Sequence, residues 1–498
     1  MVKSTTLLAI VLLVSSCTVY APQTDGFGVI PCPLRAERTE GTYFLHEGWQ
    51  SEIVKKTGNN MLAESYRIKV TPNRITITAA DKNGFLYAGQ TLEQLIDNGQ
   101  IPACRIYDKP RFGYRGMHFD CARHFFTVDE IKSYLDILAT YKLNHFHWHL
   151  TDEQGWRFES NSYPELNRTG SWRNGTMIGK DLESNDGIRY GGYYTREEMT
   201  EIIEYASQKG ITVIPEINSP GHTLAALASY PEIGCTGGPY AVRTKWYHTN
   251  YALCPGKETT FDFISSILAE TCEVFPGKYI HVGGDECGTE FWEKCPDCQK
   301  RIIDEGIMAD SVFTAEQKLL GYYAEREQNI LAAYNRKMIA WQEMLVGNLK
   351  PGSMIMAWQP ESYIEAAKTA AAKGVDVIMV PGSHLYFDMY QTLDHDIEPL
   401  AYGGFTPLEK VYSFEPLEGL TEAEATQVAG VQACLWSEYC PTIELAQYKL
   451  LPRLPALSEV QWCETKDYKR FITSLRNVHL KLFHDKGWNY CPKEFTNN

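Results

Sequence analysis

The chain carries no run of lysine or arginine: 47 basic residues are dispersed among 62 acidic ones, for a formal net charge of −15. Nucleic acid and anionic membrane faces both recruit clustered positive charge, so neither is an expected partner, and the acidity reads as solubility. No stretch approaches the ~20 consecutive apolar residues of a membrane-spanning helix. Internal repeats and low-complexity tracts are also missing. The one Cys-x-x-Cys, Cys295-Pro-Asp-Cys298, has no second copy and no nearby His pair, so half a zinc site is a weaker reading of it than a local disulfide. What is abundant is apolar and aromatic matter: 44% of 498 residues are hydrophobic and 12% aromatic, enough for one large core and a smaller one. Eleven Trp and thirty Tyr are many for this length. Such side chains fill cores, and they also serve as flat platforms for sugar rings.

The N-terminus reads as a targeting segment, because Lys3 precedes an apolar stretch, Leu7 to Val14, that is too short to span a bilayer. Val14-Ser15-Ser16-Cys17 resembles the bacterial lipoprotein box, which implies a signal peptide over residues 1–16, lipidation of Cys17 and a tether over 17–28. The expected location is the bacterial cell envelope, with the membrane touched only through the lipid. Thirteen of the fourteen Cys then remain, an odd number, so at least one stays unpaired if the rest oxidise. Cys235 and Cys254 flank a Gly/Pro/Tyr-rich loop and form a candidate cross-link.

Residues 29–109 have the pattern of a compact α+β unit, with strands at 65–70 and 74–79 and a helix over 84–97. After Pro110 the pattern becomes strands of five to eight residues alternating with amphipathic helices, the sign of a parallel α/β sheet. Eight strands are expected, at 114–120, 144–150, 212–216, 279–283, 338–342, 354–358, 375–380 and 433–436. Helices are expected at 128–141, 196–208, 261–275, 314–335, 363–372 and 445–457, with none evident after strands five and seven. Eight such strands suggest a closed (β/α)8 TIM barrel over residues 110–498, preceded by the small α+β domain.

In such a barrel the chemistry sits where strands meet their following loops. Strand four ends in His281-Val282-Gly283-Gly284-Asp285-Glu286, and adjacent carboxylates there are costly unless used or paired. A salt-bridged loop pair is the bland alternative. The other strand ends weigh against it: Arg123 and His124 follow strand one, Asp152 strand two, and His222 strand three. Trp341 and Glu343 belong to strand five, Trp358 to six, Tyr386 and Asp388 to seven, Trp436 and Glu438 to eight. Aromatic walls with carboxylates and an Arg describe a sugar pocket.

The ordered stretches RGMHFDCARHFF, NHFHWHLTDEQGW, PEINSPGH, HVGGDE, AWQE, HLYFD and ACLWSE resemble the family-twenty glycoside hydrolases, the β-N-acetylhexosaminidases, over nearly the whole chain. The GFLYAGQTLEQLI segment resembles that family's small accessory domain. The resemblance implies an exo-acting retaining enzyme that needs no cofactor and acts on glycans with terminal β-linked GlcNAc or GalNAc. It implies Glu286 as general acid/base, with a raised carboxyl pKa, and Asp285 as the group orienting and charge-stabilising the substrate's 2-acetamido group, whose oxygen itself attacks the anomeric carbon through an oxazolinium intermediate. Tyr386 would donate to that oxygen. Trp341, Trp358 and Trp436 would wall the sugar, and Arg123, Asp388 and Glu438 would clamp its hydroxyls. Asp152 and His222 would help position Glu286.

Three alternatives stay open at this level. A lacto-N-biosidase-like enzyme would release a disaccharide, and a binding lipoprotein would keep the pocket without catalysis. A metal-dependent amidohydrolase would use His145, His147 and His149 as ligands, although on a regular strand these three face away from Asp152.

Overall fold

The computed structural model describes residues 27–394 and 396–495, so the expected signal peptide, Cys17 and nearly all of the tether lie outside the described residues. A five-stranded sheet comes first, in the order Arg35–Phe44, Gln100–Asp108, Tyr66–Thr71, Arg74–Ala79, Val54–Thr57. Only the last pair is parallel. Tyr66–Thr71 alternates buried and exposed side chains, which made it legible, whereas Arg35–Phe44 is exposed along most of its length and shows no such period. Helix Lys82–Leu95 packs on this sheet, its first turn capped by the Asp81 carboxylate accepting from the Gly84 N–H at 2.9 Å.

The second unit is a closed barrel of eight parallel strands. They are β1 (Tyr114–Asp120), β2 (His145–His149), β3 (Thr212–Glu216), β4 (Tyr279–His281), β5 (Lys337–Trp341), β6 (Met354–Ala357), β7 (Asp376–Met379) and β8 (Val428–Ala433). β1 is buried along its whole length, as expected for parallel strands covered on both faces. Three of the outer helices, Val128–Thr140, Arg196–Gln208 and Ala315–Ala333, begin with reciprocal capping boxes at Thr127/Glu130, Thr195/Glu198 and Thr314/Gln317.

Three expectations need correction. The eighth strand is Val428–Ala433, not 433–436: its sequence, VAGVQA, reads weakly as a strand because of Gly430. That glycine is a packing requirement, since a Cβ there would stand 1.8 Å from the Tyr114 carbonyl oxygen of the neighbouring strand. Trp436 therefore lies beyond the strand, in the loop that follows it. The single helix expected over 445–457 is two, Ile443–Leu450 and Arg453–Trp462, interrupted at Leu451-Pro452 where proline cannot donate to the preceding turn. Third, a short 3-10 turn, Gln342–Val346, follows β5, and short helices Gly382–Leu385 and Leu408–Ser413 follow β7. No helix among the described residues is long and apolar enough to cross a membrane.

The two units share a polar seam. Arg115, buried on β1, places Nη1 2.9 Å from Glu64 and donates to the Tyr87 hydroxyl at 2.9 Å, with its guanidinium 4.9 Å from the Trp462 ring centre. Lys142 pairs with Asp108 at 3.1 Å in the same seam, both fully buried.

Candidate active site

The turn after β4 is built for close approach. Gly283 and Gly284 have φ of 77° and 101°, and a Cβ on Gly283 would lie 1.7 Å from Asn218 Oδ1, one on Gly284 2.5 Å from Met344 Cγ. Glu286 itself holds φ at 49° and His222 at 53°, uncommon for residues with side chains and typical of strained functional turns. The turn delivers Asp285 into the barrel mouth and leaves the Glu286 side chain 40% exposed.

His222 stands at the centre of the charges. Its Nδ1 is 3.3 Å from Asp152, and its Nε2 is 3.4 Å from both Asp285 and Glu286. Burial opposes protonation of His222, yet Asp152 and Asp285 raise it well above its ordinary value. Asp285 accepts from Asn218 Nδ2 at 3.0 Å and is raised, chiefly by burial. His222 beside it lowers Glu286, with His248 Nδ1 a second neighbour at 3.4 Å. The raised Glu286 carboxyl expected from its role is thus not the state of the open site. The side chain is partly exposed and faces His222 and His248.

Aromatic rings form the wall. Trp358 and Tyr386 are stacked with centroids 6.1 Å apart, Tyr386 and Trp436 lie 6.3 Å apart, and Trp436 and Trp341 6.2 Å apart. Trp358 Nε1 donates to Glu343 at 3.1 Å, and Trp341 Nε1 to Glu216 at 2.9 Å. Burial, joined by Cys434, Asp388 and Asp285, keeps the Tyr386 phenol protonated. Burial raises Asp388 to about 6 and, outweighing Arg123, also raises Glu438. Arg123 is held against Asp152 at 2.9 Å and Asp120 at 3.4 Å, with its guanidinium 5.1 Å from the Trp436 ring centre. The structure therefore brings Asp285, Glu286, His222, Asp152 and Arg123 into one charge network, with the rings of Trp341, Trp358, Tyr386 and Trp436 forming a second, contiguous group.

His149, on β2, does not face away from Asp152. β2 stops at His149, and Thr151–Asp152 begins a separate small hairpin, so the count of alternating faces is reset. His149 consequently reaches Asp152 at 2.9 Å with Nε2 and Glu216 at 2.5 Å with Nδ1. Both ring nitrogens are engaged by carboxylates, which makes His149 part of a buried support beneath Asp152. His147 lies 3.0 Å and His281 3.2 Å from the same Glu216.

Sequence reading missed Asn218 and His248. Asn218 sits inside the PEINSPGH stretch and is recognisable only once β3 is placed beside β4. His248 lies in a loop without periodicity, and no local pattern marks it.

Comparison with known proteins agrees with this architecture. The model of the glycosyl hydrolase family 20 catalytic domain matches residues 112–465, and that of the family's domain 2 matches residues 46–109. A β-hexosaminidase of Porphyromonas gingivalis is 39% identical over 434 residues, 84% of this chain and 53% of that protein. This chain thus spans about half of that relative's length. A β-hexosaminidase of Akkermansia muciniphila is 32% identical over 93% of this chain and 92% of its own length. Among solved structures, the family 20 exo-β-N-acetylglucosaminidase of Vibrio harveyi, in complex with N-acetylglucosamine, superposes with a TM-score of 0.80 at 30% identity, covering 95% of this chain and 79% of that one. With both family models matched in order and the barrel and its accessory sheet in place, the chain belongs to glycosyl hydrolase family 20, the family of these β-hexosaminidases.

Proposed function

We propose that this chain is an exo-acting, retaining β-N-acetylhexosaminidase that releases terminal non-reducing β-linked GlcNAc or GalNAc with the substrate's own acetamido group as nucleophile. The observation that carries the reading is the consecutive pair Asp285 and Glu286 on one glycine turn, both within 3.4 Å of His222 but in different surroundings, one buried and one open. Carboxylates that protonate a leaving group on one side of a sugar and attack it from the other must face each other across the ring, whereas neighbours on one turn cannot. Asp285, fixed by Asn218, suits the task of orienting an acetamide N–H and balancing the charge of an oxazolinium. Glu286 suits the glycosidic oxygen. A seated sugar would strip water from its half-open carboxylate and draw it toward the protonated form that an acid needs, which supplies the raised pKa the open site lacks.

The Tyr386 hydroxyl, kept protonated by burial, is an orienting donor to the acetamido oxygen, and the Trp341, Trp358 and Trp436 rings are the apolar surround. Arg123, Asp388 and Glu438 supply the polar contacts to the sugar's hydroxyls and so limit cleavage to a terminal residue. On the pattern around Cys17 we also propose lipid anchoring at the bacterial envelope. Proton NMR of the reaction with an aryl β-N-acetylglucosaminide tests the catalytic reading. The β-anomer of free GlcNAc is expected to appear first and then mutarotate. An initial α-anomer, or release of disaccharide units from a chito-oligosaccharide, would contradict it.

A further inference from the structure

Four cysteines from distant parts of the chain converge beside the active-site loops. Cys254 Sγ lies 3.5 Å from Cys298 Sγ and 3.6 Å from Cys295 Sγ, and Cys235 Sγ lies 3.7 Å from Cys298 Sγ. All four sulfurs fall within 4.8 Å of one another. A zinc–sulfur bond of about 2.3 Å sets the edge of a tetrahedral tetrathiolate at about 3.8 Å, whereas a disulfide brings two sulfurs to about 2.05 Å and leaves the others aside. We infer that Cys235, Cys254, Cys295 and Cys298 form a structural zinc site that ties the loop after β3 to the segment after β4.

The backbone around the quartet is arranged to hold it. Gly234 and Leu253 form an antiparallel bridge next to Cys235 and Cys254, and the Cys254 N–H donates to the Ile233 carbonyl at 2.9 Å. Trp292 Nε1 donates to the Leu253 carbonyl at 3.0 Å. A Cβ on Gly256 would stand 2.2 Å from the Asp297 carbonyl carbon, so the first loop lies directly on the opening turn of helix Pro296–Asp304. Cys295 is the N-cap residue of that helix and Cys298 lies in its first turn, so the rigid helix start sets the spacing of the two sulfurs. Four sulfur ligands select zinc over hard cations, and Cys235, the half-buried member, gives the metal a way in. The sequence alone argued against zinc because only one Cys-x-x-Cys is visible. The other half is split across 235 and 254 and is completed by the fold.

The loop clipped between Cys235 and Cys254 carries His248, which faces Glu286 at 3.4 Å, and Arg243, which pairs with the buried Glu153 at 3.3 Å. The metal would thus fix the wall of the site that touches the acid/base without taking part in the chemistry.

The test uses the full chain, exported and purified without tag or chelator. Elemental mass spectrometry is expected to find about one zinc per chain. Cys298→Ser should lose that zinc and become susceptible to proteolysis within 236–253. Should that variant fail to fold, cobalt(II) substituted into the unaltered protein is expected to give the thiolate charge-transfer and intense d–d bands of a tetrahedral tetrathiolate. Zinc absent from the native protein, with an intact mass short by the hydrogens of two disulfides, would overturn the inference. So would a cobalt spectrum without thiolate charge transfer. None of these readouts involves a sugar, so the outcome is independent of the glycosidase assignment.

Discussion

Asp285 and Glu286 are adjacent in the chain yet differ in what surrounds them, and that difference carries the division of labour. Removing the ionisable proton of the acid/base should lower turnover by on the order of 10²–10⁴, so Glu286→Gln is expected to lose that much in kcat on alkyl glycosides while still binding GlcNAc. Isothermal titration alongside initial rates checks both halves. Asp285→Asn should lose a comparable factor on acetamido sugars and leave the trace cleavage of 2-hydroxy sugars unchanged, which paired aryl glycosides would show. At this scale the sequence was informative near strand ends: the run from His281 to Glu286 already set two adjacent carboxylates at the mouth of a barrel strand. It was silent on Asn218 and His248, because their relevance comes from which loops the fold sets side by side. It also misjudged the resting state of Glu286, whose neighbours His222 and His248 come from the loop after β3.

At the scale of elements, the turn after β4 and the end of β2 do most to place these groups. Gly284→Ala puts a side chain at φ 101° and against Met344, and backbone strain of that kind costs roughly 1–3 kcal/mol. A lowered Tm with a disproportionate fall in kcat is expected, because the strain is relieved by moving Asp285. Below the turn, burial disfavours charged His149, but Glu216 and Asp152 raise its pKa to about 10 from an ordinary 6.5. A group raised on folding adds stability that is complete below its unfolded value and is lost as pH rises through the folded one. The protein should therefore lose stability between about pH 6.5 and pH 10, and His149→Gln should flatten that part of a Tm-against-pH curve. Most barrel strands and outer helices were legible, since hydrophobic runs and amphipathic periods are local signals. β8 was misplaced because Gly430 and Gln432 disguise it, and the parity of the β2 histidines misled because the strand ends at His149, before Asp152.

For the whole molecule, the accessory sheet and the barrel are coupled through charges buried at their seam. Arg115 holds Glu64, Tyr87 and Trp462 together, and cutting one partner from a buried ion pair costs about 3–5 kcal/mol. Glu64 is partly exposed, so the lower end is expected for Arg115→Met. Calorimetry should show the small unit unfolding ahead of the barrel in that variant and together with it in the parent. None of this seam was visible in the sequence, because Glu64, Tyr87 and Arg115 acquire their meaning only when two units meet. The same holds for the cysteine quartet. The central claim concerns the substrate's own amide. Aryl 2-acetamido-β-glucosides bearing none, one, two or three fluorines on the acetyl group make its oxygen progressively less nucleophilic, and kcat/KM should fall steeply along the series. A flat response would mean that a protein carboxylate, not the acetamide, attacks the anomeric carbon.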